Sequence, residues 1–448
     1  MIFEGVLIYL CGIAAVYLRL ATDAGEVFFH QQGWLKILLL SFIVQSSFYL
    51  FDLYDFQMIR QRTMLYIRIL QALGLSAITL ALIFYLLPQV IIGRGVFSVS
   101  LLLMLSIMSG WRSLAMWLLG HPRLTERVLI LGTGESAIGL AKEVLDRRES
   151  GYSVVGFVGD DPQQIGQSLI NPRVVGVTND LEEVATRYQA NRIVVAFDDR
   201  RGQLPVDSLL KLRLGTEVTI EDSASFYEKL TGKINIAMLR PSGLIFSASS
   251  WWMPFYKKLR KVADFLLALC GLLLTSPLML VTAIAIKLDS SGPVFYVQER
   301  VGLHNRIFKI IKFRSMFINA EESGPAWAGK EDPRISRVGR IIRKLRIDEL
   351  PQFINVLHGE MSVIGPRPER QVFVELFERD IPYYSQRHLV KPGMTGWAQV
   401  RYPYGASFED AVEKLQYDLY YIKNQSPLLD AIILFETARI VLFGRFAR

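Results

Sequence analysis

The sequence predicts an integral membrane protein that combines all-α and α/β parts: a four-helix transmembrane bundle, a Rossmann-like α/β domain, and a mixed, mostly helical third region carried on a re-entrant membrane hairpin. Three observations support this. Four apolar segments fill the first 120 residues, strand-like and helix-like segments alternate from Arg127 onward, and a later apolar run, 257–287, is interrupted by Ser276-Pro277.

The segments 3–20, 34–53, 69–92 and 96–119 each approach the ~20 residues that cross a ~30 Å hydrocarbon core. Basic residues set their orientation. Arg60, Arg62 and Arg68 follow the second segment, and Arg112, Arg123 and Arg127 close the fourth. The connection 21–33 carries Asp23 and Glu26 but no Lys or Arg. Both ends of the bundle are therefore expected on the cytoplasmic side, with Arg94 against the trend. The first run lacks a basic flank and a small-residue cleavage site, so no cleaved leader is expected.

Composition narrows the function classes. Of 448 residues, 51% are hydrophobic, too many for an ordinary soluble enzyme. The two cysteines, Cys11 and Cys270, both lie in apolar runs, which excludes a disulfide framework and a Cys/His zinc site. A net charge of +8 leaves nucleic acid, anionic lipid and phosphorylated substrates as partner classes.

The stretch RVLILGTGESAIGLAKEVL (127–145) reads as an apolar strand, a glycine turn and an amphipathic helix. YSVVGFVGDD and RIVVAFDDR repeat the strand pattern, so a parallel sheet is expected. The turn Gly132-Thr-Gly134-Glu-Ser-Ala137 is close to a dinucleotide fingerprint, with backbone N–H groups at a helix N-terminus where a phosphate can sit. Nucleotide binding at Gly132, Gly134 and Ala137 and a purely architectural turn both remain open.

In the run 257–287, Lys257, Lys258, Arg260 and Lys261 precede the apolar residues and Lys287 follows them. Pro277 lacks an N–H and is expected to break or kink a helix near the middle. Each arm then has about eleven residues, roughly 16 Å at 1.5 Å per residue, or half a bilayer. Ser276 offers a hydroxyl to a backbone group freed by the break. A re-entrant hairpin with both ends in the cytoplasm is the expected arrangement. Trp251, Trp252 and Phe255 before it read as interfacial anchors.

Cations crowd the next stretch: twelve Lys or Arg residues lie between Arg300 and Arg346, counting both. FKIIKFRSM (308–316) reads as a strand that gathers Lys309, Lys312 and Arg314. DPRISRVGRIIRKLRIDELPQ (332–352) reads as a basic amphipathic helix with Ile335, Val338, Ile341, Ile342 and Leu345 on its apolar face. Its arginines suit anionic lipid, and the neighbouring membrane hairpin argues against nucleic acid. Asp348 and Glu349 stand at the helix end. Guanidinium groups beside Asp348 are expected to hold it ionised. An ionised aspartate can attack phosphorus or hold Mg²⁺, and phosphoryl transfer asks for a nucleophile, a metal and cations around phosphate oxygens. GEMSVIGPRPE (359–369) adds Arg367 between two prolines, and VKPGMTGWAQV (390–400) adds Lys391 and a glycine turn.

KFRSM, DELPQ, GPRPE and KPGMTGWAQV, in this order after an apolar Ser-Pro hairpin, resemble the monotopic polyprenyl-phosphate glycosyl-1-phosphate transferases over about residues 257–448. The regions ahead of them are similar to the large bacterial subclass that initiates exopolysaccharide, capsule or O-antigen synthesis, and the C-terminal portion to its PEP-CTERM-associated type. The resemblance implies that Asp348 attacks the β-phosphate of a UDP-sugar and that undecaprenyl phosphate then takes the sugar phosphate. It implies Mg²⁺ with Asp348 and Glu349 as candidate ligands, Glu349 serving either the metal or the orientation of the nucleophile, and substrate contacts from Lys312, Arg314, Arg367 and Asp418. To these the residues themselves add Arg343, the helix arginine nearest the pair, and Lys391 in its glycine turn. It further implies the bacterial inner membrane, an active site on the cytoplasmic face, and a homodimer.

Two rivals remain. A membrane-anchored nucleotide-sugar dehydratase or epimerase would need a Tyr-x-x-x-Lys pair, and that spacing is absent from the chain. A nucleotide-binding regulatory scaffold would leave the paired carboxylates unused. The expected domains are 1–120, 125–240 and 250–448.

Overall fold

A computed structural model describes residues 2–30, 32–51, 53–54, 62–119, 125–147, 150–197, 204–239, 253–318, 332–403, 405 and 407–443. Trp251, Trp252, Arg60 and Arg123 lie outside them. The chain divides into two compact units, Met1–Glu221 and Asp222–Arg448.

In the first unit, α1 (Ile2–Leu20), α2 (Gly33–Leu50), α3 (Arg62–Leu86) and α4 (Arg94–Leu119) are the four apolar helices. With the later helix Met253–Asp289 they make five, among the described residues, that are long and apolar enough to cross a membrane. α1 packs on α2 and α4, and α3 packs on both as well. Ile8, Val44, Phe48, Ile69 and Met104 fill the space between them, while Leu18, Phe42, Leu70, Ile78 and Leu102 point outward. Ser41, Ser47, Ser76 and Ser100 each donate to the carbonyl four residues back, which satisfies the hydroxyls without water. Glu4 and Arg112 form a buried ion pair at 2.6 Å, and Trp111 also donates to Glu4 at 3.1 Å.

Next come β1 (Glu126–Leu131), α5 (Glu135–Asp146), β2 (Tyr152–Gly159), β3 (Val174–Val177), α6 (Leu181–Arg187), β4 (Arg192–Val195), α7 (Val206–Gly215) and β5 (Thr219–Asp222). The strands lie in the order β3-β2-β1-β4-β5, with β1 parallel to β2 and β4 and β2 parallel to β3. Val128–Leu131 are wholly buried, as a central strand covered on both faces requires.

Asp222 ends β5 and caps α8 (Ser223–Thr231) through a 3.2 Å bond from Ala224 N–H. The segment after it belongs to the second unit, which moves the expected boundary from 240 to 221. Lys233 bonds Glu413 at 2.9 Å, Lys423 bonds Glu228 at 2.8 Å, Trp397 donates to the Gly232 carbonyl at 2.7 Å, and Ile234 is buried beside Leu415.

α9 (Met253–Asp289) is a single helix that runs through Pro277, so the expected break does not interrupt it. Proline leaves the carbonyl of Leu273 without its N–H donor, and the Ser276 hydroxyl supplies the bond instead at 2.9 Å. Beyond α9, β6 (Phe295–Val301) and β7 (Ile307–Phe313) form an antiparallel pair that joins Phe295 to Phe313 and Val301 to Ile307. They are followed by α10 (Arg337–Lys344), α11 (Gln352–Leu357), β8 (Ser362–Ile364), α12 (Gln371–Asp380), β9 (Gly393–Thr395), α13 (Trp397–Arg401), α14 (Phe408–Lys423) and α15 (Pro427–Phe443).

The expected helix over 332–352 is shorter than its periodicity suggests. Ser336 caps α10 by accepting from Gly339 N–H at 3.0 Å, and Arg346 adopts φ +55°, the left-handed conformation that ends a helix. Of its apolar face, Ile342 is buried while Ile341 and Leu345 are exposed.

Candidate active site

The reversal at Arg346 sets up the site. Left-handed backbone at a residue other than glycine costs on the order of 1–3 kcal/mol and persists where the surroundings impose it. It turns the chain into a single 3₁₀ turn, Ile347–Glu349, that presents both carboxylates. Asn355, on α11, holds β7 against this turn. Its amide donates to the Lys309 carbonyl at 2.7 Å and its oxygen accepts from Ile311 N–H at 3.0 Å, which fixes the strand that carries Lys312.

Glu349 takes the cations. Its Oε1 accepts from Arg367 at 2.6 Å and lies 3.5 Å from Lys312 Nζ, while Oε2 is 3.9 Å from Arg346. Burial opposes its ionisation, but Arg367 and Lys312 outweigh that and hold the carboxyl well below the usual carboxylate range. Asp348 behaves in the opposite way. Burial, and then the charge of Glu349, push its carboxyl up to about 6, against the pull of Lys312, Arg367 and Arg343. The expectation that cations hold Asp348 ionised is therefore corrected: its neighbour claims them. Burial likewise pushes the Lys312 amine down.

Arg343, on α10, is the third cation that acts on Asp348, and its Nη1 is buried and makes no hydrogen bond among the described residues. Lys312, Arg343 and Arg367 thus converge on the paired carboxylates. The other three expected ligands do not join them. Arg314 is buried and closes the turn after α9, bonding the carbonyl of Ser291 and the carbonyl and hydroxyl of Ser290, the latter two at 2.9 and 3.0 Å. Gly292, at φ +118°, makes room for it. Lys391 sits among charges of α9; burial pushes its amine down, and Asp264, Lys261 and Arg260 are the charges it feels. Asp418, on α14, is buried and pairs with Arg387 at 2.9 Å, so it faces the interior rather than substrate.

Sequence reasoning missed Arg300 and Arg387. Arg300, on β6, donates to the Pro368 carbonyl at 3.2 Å, and Arg387 donates to the Arg367 carbonyl at 2.9 Å. Their partners lie 68 and 20 residues away in sequence, so no local pattern marks them. In the first unit, Gly132 has φ +129°, and a Cβ there would sit 2.6 Å from the Ala196 carbonyl oxygen. Gly134 caps α5, and Ala137 is buried.

A hard oxygen donor set for Mg²⁺ is present in part. Among the described residues no group of three His, Cys, Asp or Glu side chains could hold a metal ion, and both Glu349 oxygens face cations. Asp348 is the carboxylate left for it, which fits an ion that takes most of its ligands from substrate phosphates and water.

Residues 255–444 match the family model described as bacterial sugar transferase, and residues 49–211 match one described as CoA-binding domain. The chain is 51% identical over 264 residues to a UDP-N-acetylgalactosamine-undecaprenyl-phosphate N-acetylgalactosaminephosphotransferase of Aeromonas hydrophila, covering 59% of this chain and 61% of that protein. It is 33% identical over 400 residues to an undecaprenyl-phosphate glucose phosphotransferase of Komagataeibacter xylinus, covering 81% and 72%. A UDP-glucose:undecaprenyl-phosphate glucose-1-phosphate transferase of Escherichia coli is 41% identical over 181 residues, covering 40% and 39%. The match at both ends of the site, from α9 through the paired carboxylates to α15, places the chain in the bacterial sugar transferase family.

Proposed function

We propose that the protein transfers a sugar 1-phosphate from a UDP-sugar to undecaprenyl phosphate, giving UMP and an undecaprenyl diphosphate sugar as the first step of a bacterial surface polysaccharide. The observation that carries this reading is the single turn that sets two adjacent carboxylates among three cations, with Glu349 holding Arg367 and Lys312 and Asp348 left without an ion pair of its own among the described residues. Two titratable groups pushed apart in this way suit two different roles. Asp348, half-buried on the turn, attacks the β-phosphorus. The bond from that phosphorus to the bridging oxygen breaks, UMP leaves with the oxygen, and a sugar-phosphoryl aspartate remains. An oxygen of undecaprenyl phosphate then attacks the same phosphorus and restores the Asp348 carboxylate. Glu349 holds Arg367 and Lys312 in place, and these with Arg343 balance charge on the phosphoryl oxygens. Mg²⁺, held by Asp348 together with the diphosphate, would neutralise the leaving group.

The donor we infer is UDP-N-acetylgalactosamine. Relatives named for that sugar are 51% and 52% identical over their matched stretches, against 33–44% for those named for glucose.

The re-entrant reading of α9 draws support from its two ends, which pack on the same unit. Near the start, Arg260 bonds Ser362 at 3.1 Å and Asp264 accepts from Val363 N–H at 2.9 Å. At the end, Asp289 accepts from Val338 N–H at 3.1 Å and Ile286 is buried with Phe313 and Ile342. We infer that the continuous helix is kinked at Pro277, so that it would enter and leave by the cytoplasmic face of the inner membrane while both ends keep these contacts. The turn Gly132–Ala137 remains a candidate phosphate-binding loop with a regulatory role, supported by the CoA-binding domain match.

The test is UMP release from a panel of UDP-sugars with Mg²⁺ and undecaprenyl phosphate. Wild type should release UMP most rapidly from UDP-N-acetylgalactosamine, and Asp348→Asn should release none. Equal release by Asp348→Asn would remove the nucleophile.

A further inference from the structure

Arg367 reaches Glu349 from the loop between β8 and α12, and that loop is held carbonyl by carbonyl. The Pro366 oxygen accepts from Gly393 N–H at 2.9 Å and the Glu369 oxygen from Val301 N–H at 3.0 Å. Between them the Arg367 oxygen accepts from Arg387 at 2.9 Å and the Pro368 oxygen from Arg300 at 3.2 Å. Four successive carbonyls are thus fixed by β9, by β6, by the half-buried Arg300 and by the buried Arg387.

Arg387 is the better defined of the two arginines. It lies in the 3₁₀ turn Tyr384–Leu389, stacks over the Tyr384 ring at 5.0 Å, bonds the Tyr384 hydroxyl, and donates to Asp418 at 2.9 Å. Its side chain is 7% exposed and that of Asp418 is 3%. A pair so buried is a poor candidate for touching a soluble nucleotide. Apolar residues of similar volume often replace buried ion pairs at no cost, so the pair needs a reason beyond stability. The fork of Arg387 meets an aromatic hydroxyl, a carboxylate and the one backbone oxygen that anchors Arg367, a geometry an ammonium cannot reproduce.

We propose that Arg387, oriented by Asp418, is a positioning residue for the transfer: it fixes the Arg367 backbone and thereby sets the guanidinium that grips Glu349 and faces the phosphate. The inference rests on the transferase reading above. It removes Asp418 from the substrate contacts and gives it a role at one remove.

A double-mutant cycle tests it with Arg387→Lys, Arg367→Lys and the pair. Two readouts run side by side: kcat/KM for UMP release and affinity for Mg²⁺–pyrophosphate, which needs the cations but not turnover. Arg387→Lys alone should cost about 10–100-fold in kcat/KM, the scale for losing a partner that orients a functional group. In the Arg367→Lys background it should cost no more than about twofold, the scatter of independent sites. The affinities should show the same non-additivity. Equal losses in both backgrounds would overturn the proposal, because a purely structural role acts whether or not Arg367 is present. Asp418→Asn, which keeps an acceptor of the same shape, carries the same cycle if Arg387→Lys folds poorly. A wild type that binds pyrophosphate but releases no UMP would refute the transferase reading, while the affinity cycle would still decide the positioning role.

Discussion

Arg367 donates to Glu349 at 2.6 Å, and Lys312 lies 3.5 Å from the same oxygen, so the second carboxylate of the pair holds the cations and the first is left under-compensated. The charge of Glu349 is the next cause, after burial, of the raised Asp348 pKa. Glu349→Gln should therefore move the acidic limb of the pH profile to lower pH while reducing the rate. A limb that stays in place or rises would show that Glu349 does not act on Asp348 in this way.

In the wild type that limb has a definite sign. Asp348 is raised from 3.8 to about 6, and only its ionised form is a nucleophile. Donor kcat/KM should fall about tenfold per pH unit below about 6, as expected for one essential group in the free enzyme. Asp418 is also pushed up to about 6 by burial, so the profile should be repeated with Asp418→Asn. The limb should persist there, and its loss would reassign it.

Lys312→Met keeps the length of the side chain and removes its charge. The expected loss in kcat is about 10²–10³-fold, the cost of removing one preorganised electrostatic partner of a reacting group. A change confined to KM would place Lys312 in ground-state binding instead.

Gly339, on α10, lies against the segment just after β7, and a Cβ there would fall 1.9 Å from the Ser315 carbonyl oxygen. Gly339→Ala should destabilise the second unit by about 1–3 kcal/mol, an overpacking cost. Thermal unfolding in detergent reads it, and an unchanged melting temperature would contradict the close approach.

The membrane path of α9 gives a topological prediction. Single cysteines introduced for Lys257 and for Leu288, in a Cys11→Ser, Cys270→Ser background, should both react with an impermeant maleimide from the cytoplasmic side. Labelling from opposite sides would mean a full crossing.

The paired carboxylates and the parallel sheet were legible because each depends on short-range order: adjacent residues, strand alternation, or a glycine turn between a strand and a helix. Lys312 and Arg367, 37 and 18 residues from Glu349, were named through the family motifs they sit in, not through any local pattern. What the sequence hid depends on distant partners. Nothing near Arg314 says that it will close the turn at Ser290 and Ser291 rather than face the dyad. Nothing near Asp418 announces Arg387. The end of α10 was hidden because Arg346, a good helix former, takes a conformation that tertiary packing imposes. At Pro277 the helix is not broken, because the Ser276 hydroxyl bonds the carbonyl that the proline leaves without a donor.

The central claim, a covalent bond to Asp348, is tested most directly by mass analysis of protein incubated with UDP-N-acetylgalactosamine and Mg²⁺ in the absence of undecaprenyl phosphate. The peptide that contains Asp348 should gain one sugar phosphate as UMP is released, lose it when undecaprenyl phosphate is added, and gain nothing in Asp348→Asn. UMP released only in the presence of the lipid, with no adduct trapped on Asp348, would contradict the account and point to direct transfer between the two substrates.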